Sequence, residues 1–373
     1  MTSHKLLQPL PAGKLPGWLL KKVLPASTAD EQVLVGPGIG CDAAAIAVGD
    51  DVVVAKTDPI TFASERAAFH LVEVNANDLA CMGAQPRWLL VTNLLPVGVT
   101  PADVLSSFAE LTEACRHRGV QLIGGHTEIV PGIDRTLLIG SMLGITSPGR
   151  LITPGGARAG DILMLTKGLA IEGTALLAQE RSSELEPLIG ADMVLRATRL
   201  LRDPGISVVA DCQAATSVAG VTALHDPTEG GLATAIREIA APAGLGASLN
   251  ADRIPVLPES AVICEALGLD PLGVLASGAL LLAAAGAFAQ PYKYGCHYFR
   301  NAHPYHPQAL TDGERESLND LIARSDTFDI RHYDIAVDVT NYNGKTISAA
   351  VRIDYRVKLN AAVIRFNLID AVA

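Results

Sequence analysis

The sequence predicts an α/β (α+β) protein with two domains followed by a short β-rich tail. Strand and helix patterns alternate up to about residue 285, a turn-rich stretch interrupts them at 149–161, and the composition changes after residue 285. A chain of 373 residues with 49% hydrophobic and 18% charged side chains can form two buried cores. We therefore expect domains at residues 1–150 and 151–285 and a separate tail at 286–373.

The first domain shows the clearest boundaries. Residues 101–118 have helical spacing and follow Thr100, a good N-cap, with proline at the first helical position. Another helix is expected to end at Gly83, because glycine adopts the left-handed conformation that closes helices. Gly124-Gly125, taken alone, indicates a turn. The expected elements are strands at 51–56, 88–95, 121–123 and 137–145 and helices at 67–83 and 101–118.

The second domain continues the alternation after the turn-rich stretch. The expected elements are a strand at 162–166, helices at 191–201 and 228–240, and an apolar stretch at 218–223. Residues 272–289 are 18 residues without a charge. We interpret this run as a loop, a buried strand and the start of a helix. A membrane span is the alternative, since the run is near the lower limit of length for one.

The tail differs from the rest of the chain, because all seven tyrosines lie after residue 289. Residues 329–339 and 346–357 alternate apolar and polar side chains around Asn343-Gly344, which predicts a β-hairpin, and residues 363–368 predict a third strand. The stretch FDIRHYDIAVDVTNYNGKTI resembles the start of the N-terminal β-domain of secreted M1-type zinc aminopeptidases. The HExxH zinc motif is absent from the sequence, so this resemblance implies no peptidase activity.

The apolar run before the tail also looks like a signal-peptide segment that ends in an A-x-A cleavage pattern at Ala287 and Ala289. In the middle of a chain this pattern favours a join of two unrelated reading frames, a chimera. We expect such a join to remove the last strand and helix of the second domain. The C-terminal domain would then be truncated, with an open sheet edge and an exposed apolar face.

Charge and cysteine content limit the function classes. A net charge of −10 argues against nucleic-acid binding, which requires a basic surface. The six cysteines contain no CxxC pair, so we expect reduced cytoplasmic thiols and no zinc or redox site. The N-terminus lacks a basic region followed by an apolar stretch and predicts no secretory signal. A metal site formed by Cys296, His297, His303 and His306 is disfavoured, because the spacing of these residues is irregular.

Acidic residues recur beside glycines at predicted strand ends and helix starts: Asp42, Asp58, Asp78, Glu128 and Asp226. Converging carboxylates repel one another unless a cation lies between them, and Mg²⁺ combines carboxylate oxygens with substrate phosphates. Structural roles stay open, with Asp42 and Asp226 as helix N-caps and Asp58 as a turn residue. Asp78, next to Asn77, lies within an apolar helix, where a carboxylate needs a partner. No P-loop or GxGxxG motif occurs at a suitable strand–helix junction.

Taken in order, these segments resemble the aminoimidazole-ribonucleotide (AIR) synthase superfamily, and above all its HypE-like branch, the AIR synthase-related proteins. The superfamily also contains thiamine-monophosphate kinases and selenophosphate synthetases. The resemblance covers residues 10–284 and is carried by seven segments: GKLP (13–16), GCDAAAI (40–46), KTDPI (56–60), VNANDLACMGAQPRW (74–88), GGHTEI (124–129), ARAGDILMLTKGLAIEGTALLA (157–178) and HDPTEGGLATAIREIA (225–240).

The resemblance implies the two-domain PurM-like fold and a homodimer whose N-terminal sheets pair, with ATP and Mg²⁺ in a cleft between subunits. It implies a phosphotransferase or activating enzyme that acts on an unknown small-molecule acceptor carrying a carboxamide, carboxyl or phosphate group. No nucleic-acid or membrane partner is expected. The implied catalytic residues are Asp78 and Asp226, and the implied metal ligands are Asp42, Asp58, Asp78 and Asp226. The implied nucleotide-binding residues are Lys14, Asp42, Asp58, Asn77, Asp78, Gly124, Gly125, His126, Thr127 and Glu128.

Two departures from the family pattern bear on this expectation. Many relatives have GGDT where this chain has Gly124-Gly125-His126-Thr127, and a neutral histidine is a weaker magnesium ligand than a carboxylate. Glu128 is the candidate to compensate. HypE proper ends in a cysteine that carries the activated group, whereas this chain ends LIDAVA. The alternative to an enzyme with an unidentified acceptor is therefore a nucleotide-binding scaffold or a chimeric product without turnover.

Overall fold

The computed structural model describes residues 10, 14–15, 17–25, 30–38, 40–41, 43–61, 66–250, 253–285, 335–342, 345–351 and 366–370. The first half of the chain forms a six-stranded mixed sheet with three helices. The helices are α1 (Gly17–Val23), α2 (Ala67–Cys81) and α3 (Pro101–Arg118). The strands are β1 (Val33–Val35), β2 (Ala44–Val48), β3 (Asp51–Ile60), β4 (Gln85–Pro96), β5 (Gln121–Val130) and β6 (Leu137–Thr146), in the order β1-β2-β3-β6-β4-β5.

Local sequence chemistry explains the helices of this half. Thr100 accepts a hydrogen bond from the Asp103 backbone, and the Asp103 carboxylate accepts one in return, which forms a capping box at the start of α3. Gly83 has a left-handed φ of 74° just beyond α2, as expected of a helix-ending glycine. Nearly every residue of α2 is buried, because this helix packs against the first sheet on one side and the second half of the chain on another.

Strand β5 differs from the expectation, because it continues through Gly124 and Gly125 to Val130 instead of turning at the glycines. It lies at the edge of the sheet and pairs in parallel with β4. A Cβ on Gly125 would lie 1.9 Å from the Val91 carbonyl oxygen. Glycine is therefore needed here for close approach of two backbones, which a purely local turn interpretation does not reveal.

The second half forms a five-stranded sheet in the order β8-β10-β7-β13-β9, surrounded by helices. Its strands are β7 (Ile162–Leu165), β8 (Val221–His225), β9 (Leu245–Ser248) and β10 (Leu281–Ala284), joined by β13 (Phe366–Asp370) from the far end of the chain. Its helices are α4 (Ile171–Glu180), α5 (Ser182–Ile189), α6 (Ala191–Arg199), α7 (Val209–Thr216), α8 (Gly231–Ala240) and α9 (Pro258–Leu267).

The uncharged run at 272–289 contributes the buried central strand β10, which pairs with β7 and β8. This matches the buried-strand interpretation of that run. No helix among the described residues is long and apolar enough to cross a bilayer.

The tail forms the expected pair of antiparallel strands, β11 (Ile335–Tyr342) and β12 (Lys345–Val351), whereas the turn residues between them lie outside the described residues. Its third strand, β13, pairs with β7 and β9. The sheet edge that we expected the truncation to leave open is thus occupied by a strand from the tail. Alternation along a strand indicates an exposed and a buried face, but it does not specify the pairing partner. Cys296 and the three histidines of the disfavoured metal site lie outside the described residues.

Three structural alternatives for the acidic residues are wrong. Ala44–Val48, which follows Asp42, is a strand and not a helix, so there is no helix for Asp42 to cap. Helix α8 begins at Gly231, five residues after Asp226, and its N-cap is Gly230 without a side-chain cap. Asp58 lies within β3 rather than in a turn. The acidic residues therefore need another explanation than local capping or turns.

One hydrophobic core joins the two halves. Its buried residues include Leu79 of α2, Val208, Cys212 of α7 and Leu282 of β10. Asn77 of α2 strengthens the same contact, because its side-chain amide is hydrogen-bonded to the backbone of residues 206 and 208. The C-terminal part of α2 and the segment that leads into α7 are thereby fixed beside each other.

Candidate functional site

Two buried carboxylates from the two halves of the chain line the same cavity. Asp78 lies on α2 and is 5% exposed, and Asp226 follows β8 and is 1% exposed. The cavity holds about 20 Å³, roughly the room of one water molecule. Its lining residues are Gly40, Ala43, Asp78, Cys81, Met82, Pro154, Leu224, His225, Asp226, Glu238 and Ile239. Two carboxylates with so little water require a cation or hydrogen-bond donors nearby.

Lys56 supplies a positive charge to this group, and the sequence analysis did not single it out. Its Nζ lies 2.9 Å from Asp78 Oδ2 and 3.6 Å from Asp58 Oδ2. Lys56 and Asp58 are two positions apart on β3, so both point to the face on which α2 packs. Alternation along the KTDPI segment was the signal from which this arrangement could have been anticipated.

Lys14, which the family resemblance implied as a nucleotide-binding residue, reaches the loop that follows Asp226. Its backbone N–H donates to Glu229 Oε1 at 2.8 Å, and its Nζ donates to Thr228 Oγ1 at 3.3 Å. The same Nζ lies 3.9 Å from Glu238 Oε1. Half-exposed and linked to this loop, Lys14 is placed where it can meet an anionic ligand that enters from solvent.

His225 and Glu238 form a second pair in the wall of the cavity. His225 Nε2 and Glu238 Oε2 are 2.9 Å apart, and both side chains are largely buried. These residues lie in the HDPTEGGLATAIRE segment, but the sequence analysis assigned a role only to Asp226 there. Their contact joins the end of β8 to α8 and so positions the loop that carries Asp226.

The Cys81 thiol lies beside the carboxylate of Asp226, and its pKa depends on the charges around it. Its Sγ lies 3.8 Å from Cys212 Sγ and 3.9 Å from Asp226 Oδ1. Burial raises the pKa of Cys81 well above its usual value, and its contact with Cys212 and the charges of Asp226 and Asp78 raise it further. Burial alone would disfavour any charge, but the contributions of Asp226 and Asp78 show a negative potential at this thiol, which favours a cation.

The expected β5 residues form a separate group. Asp58, Gly140, Val91 and Gly125 are successive partners across the sheet, which puts β3 and β5 three strand spacings apart, about 14 Å. His126 and Glu128 are exposed, with 3.4 Å between Nε2 and Oε2. One copy of the chain therefore brings Lys14, Asp58, Asp78 and Asp226 to one area and Gly124, Gly125, His126, Thr127 and Glu128 to another.

Asn77, one of the expected nucleotide-binding residues, joins the two halves of the chain. Asn77 has its Nδ2 2.8 Å from Ile206 O and its Oδ1 2.8 Å from Val208 N, and it is fully buried. Both ends of this side chain hold the two halves together, which gives Asn77 a structural role. Asp42 lies outside the described residues, between Cys41 and Ala43.

The residues present fit magnesium. No three His, Cys, Asp or Glu side chains of the described part of the chain form a ready-made metal cage. Mg²⁺ is usually bound by one or two carboxylates, with waters and substrate phosphates completing its shell. Asp78 and Asp226 provide two oxygen-donor side chains at one cavity, and Asp58 lies within reach of the same lysine.

The fold and this group of residues define a two-domain α/β protein with buried carboxylates where its halves meet. The AIR synthase related protein N-terminal domain matches residues 40–146, and the AIR synthase related protein C-terminal domain matches residues 158–301. The two matches together cover more than half of the chain, which belongs to the AIR synthase-related family of PurM-like proteins.

Curated relatives are HypE-like. The chain is 36% identical over 215 residues to carbamoyl dehydratase HypE of Cupriavidus necator, covering 57% of this chain and 58% of that protein. It is 28% identical over 282 residues to a putative hydrogenase expression/formation protein of Methanocaldococcus jannaschii, covering 73% of this chain and 80% of that protein. The chain thus spans little more than half the length of the HypE of C. necator.

Solved structures show the same fold. HypE in complex with ATP has a TM-score of 0.51 and 23% identity, over 72% of this chain and 74% of that one. A thiamine-monophosphate kinase with AMPPCP and TMP has a TM-score of 0.56 and 19% identity, over 68% of this chain and 82% of that one.

Proposed function

We propose that the chain is an ATP- and Mg²⁺-dependent phosphotransferase or activating enzyme whose acceptor is a small molecule with an amide, carboxyl or phosphate oxygen. The observation that carries this proposal is the meeting of Asp78 and Asp226, from opposite halves, at a cavity beside Lys56. Nucleotide complexes of HypE and of a thiamine-monophosphate kinase with this fold support it. We also propose a cytoplasmic location, because the scattered cysteines without a CxxC pair favour reduced thiols.

The proposed roles follow from charge and position. Asp78 and Asp226 would hold Mg²⁺, with Asp58 and Asp42 as further ligands, and the ion would neutralise charge on the triphosphate. Lys14 would contact phosphate from the solvent side, because its ammonium is half-exposed and already bound to the Asp226 loop. Lys56 pairs with Asp78 and Asp58 and so orients their carboxylates before the ligand arrives. His225 positions the loop through Glu238.

Phosphorylation of an oxygen also fits the chemistry named for the relatives. A carbamoyl dehydratase must remove the oxygen of an amide, and phosphate transfer to that oxygen would turn it into a leaving group. The acceptor of this chain needs the same kind of oxygen.

We further propose that the enzyme is a homodimer with the nucleotide between subunits. Strand β5 is an edge strand whose side chains are almost all exposed, including Ile123 at 50% and Ile129 at 57%. An exposed apolar edge strand is a pairing surface. A second copy on this edge would shield these residues, and it would supply His126, Thr127 and Glu128 to the carboxylate group of its partner.

The test is ADP release from ATP by the purified chain in the presence of candidate acceptors, with and without magnesium. Asp78→Asn removes a ligand charge at constant size, so we expect Mg²⁺-dependent turnover to fall at least 100-fold. Asp50→Asn, an exposed turn residue, is the matched control and should leave turnover unchanged. Undiminished turnover in Asp78→Asn would refute the assignment. Binding of ATP without any ADP release would favour the scaffold alternative.

A further inference from the structure

Strand β9 is joined to the rest of the second sheet through β13. The two strands are antiparallel over four residue pairs, from Asn367 with Ser248 to Asp370 with Leu245. Among the described residues, β13 is the one strand with which β9 pairs, whereas β7 also pairs with β10 on its other side. Without β13, β7 and β9 would therefore each present an unpaired backbone edge to the space between them.

The space between β7 and β9, the strand slot, has the width of a single strand. Adjacent strands of a sheet lie about 4.8 Å apart, so β7 and β9 are about 9.6 Å apart. Because β13 is antiparallel to both neighbours, the two walls of the slot run parallel to each other. A strand that enters in this orientation finds hydrogen-bond partners for its N–H and C=O groups on both sides.

The β9 wall of the strand slot is also held by contacts that do not involve β13. Leu245 and Ala247 of β9 are half-buried and pack against the apolar core of the second half, which contains Leu232 and Ile239 of α8. Strand β9 begins five residues after α8 ends at Ala240, so the helix limits the position of the strand as well. We therefore expect the slot to keep its shape when β13 leaves it.

The strand that fills the slot belongs to a distant part of the chain. Residues 285–365, 81 in all, separate β13 from β10, the preceding strand of this sheet. A strand at the end of so long a connection can leave the slot without any change to β7, β8 or β10. Its effective concentration at the slot is also low, because this quantity falls with the length of the connection. A separate strand can therefore compete with it.

We propose that the strand slot is a binding site for one extended segment, which this chain fills with its own residues 366–370. When that segment is kept out, the slot binds a separate peptide of the same sequence in the same antiparallel orientation. Main-chain hydrogen bonds to both walls provide the affinity, as in other complexes in which a peptide adds a strand to a sheet. None of the residues that line the carboxylate cavity lies in β7, β9 or β13, so the inference is independent of the proposed use of ATP.

The experiment uses the full chain and a fluorescent synthetic peptide of residues 363–373, VIRFNLIDAVA. Leu368→Pro keeps the chain's own segment out of the slot, because proline lacks the N–H group and the backbone freedom that a strand paired on both sides needs. In fluorescence anisotropy, this variant should bind the peptide at least tenfold more tightly than the wild type, whose own strand competes. Leu368→Val keeps the backbone N–H and should bind the peptide as weakly as the wild type.

Two controls separate strand pairing from other modes of binding. The same peptide with proline in place of Leu368 should bind to none of the three proteins. The mass in solution should be the same for Leu368→Pro and the wild type, and a halved mass would overturn the proposal, because a second copy would then supply the strand. Equal affinity of Leu368→Pro and the wild type for the unaltered peptide would overturn it too, as would binding of the proline peptide.

Hydrogen exchange of the wild type tests the same pairing without any substitution. The slowest backbone amides of residues 245–248 and of residues 366–370 should exchange at one common rate, because the pairing between these segments is lost in a single step. Exchange of residues 245–248 at the rate of an unpaired chain would overturn the inference, whatever the behaviour of Leu368→Pro.

Discussion

Replacement of Asn77 by alanine tests how the two halves are held together. The substitution leaves two buried backbone groups, Ile206 O and Val208 N, without the partners that now lie at 2.8 Å. Each unmade buried hydrogen bond costs about 1–3 kcal/mol, so we expect Asn77→Ala to lower the free energy of unfolding by about 4 kcal/mol. Urea denaturation followed by circular dichroism measures this change, with an unaltered dependence on urea concentration.

Thr112→Ala is the matched control, because its hydroxyl also donates to a backbone carbonyl, that of Phe108, but on the exposed face of α3. Water replaces an exposed hydrogen bond, so this variant should stay within about 0.5 kcal/mol of the wild type. If Asn77→Ala is no less stable than Thr112→Ala, the amide does not join the halves, and Asn77 would again be a candidate for nucleotide binding.

Two further predictions concern β5 and the buried thiols. Gly125→Ala would bring a Cβ to 1.9 Å from Val91 O, so we expect this substitution to lower the free energy of unfolding by about 3 kcal/mol or more. Gly149 has open space around it, so Gly149→Ala is the control and should cost far less. Equal melting temperatures of the two variants would contradict the close approach of β4 and β5. Burial raises the pKa of Cys115 from 9.0 to about 11, so the folded state keeps a proton that the unfolded state loses first. This contribution to stability is complete below pH 9 and is lost as the pH rises toward about 11. The free energy of unfolding should therefore fall more steeply over that pH range in the wild type than in Cys115→Ala. Equal slopes of the free energy of unfolding against pH in the two proteins would refute this prediction.

The sequence predicted those elements whose boundaries depend on local chemistry. Helix α3 begins after Thr100 and ends at Arg118 as expected, because the capping box and the glycine that follows act within a few residues. The resemblance to a known family also indicated that Asp78 and Asp226 act together, and both line one cavity. No local pattern could have shown this, since 148 positions separate the two residues and only packing of α2 against β8 brings them close.

The remaining features depend on contacts between distant segments. The Gly124-Gly125 pair resembles a turn signal, yet glycine is required there because Val91 lies so near. The family resemblance implied that Asn77 binds nucleotide, and the structure shows its side chain hydrogen-bonded to backbone atoms of residues 206 and 208. Alternation along KTDPI puts Lys56 and Asp58 on one face of β3, but it does not indicate Asp78 on the helix that packs there. In each case the sequence shows the type of residue but does not identify the residue that it contacts.

The most direct test of the central claim is calorimetric titration of the full chain with ATP, with and without magnesium, together with its mass in solution. We expect saturable binding that requires Mg²⁺, to a particle of twice the mass of the chain, and strong weakening of that binding in Asp78→Asn. Binding of equal strength without magnesium, or no binding at all by the folded chain, would contradict the assignment of Asp78 and Asp226 to a magnesium–nucleotide site.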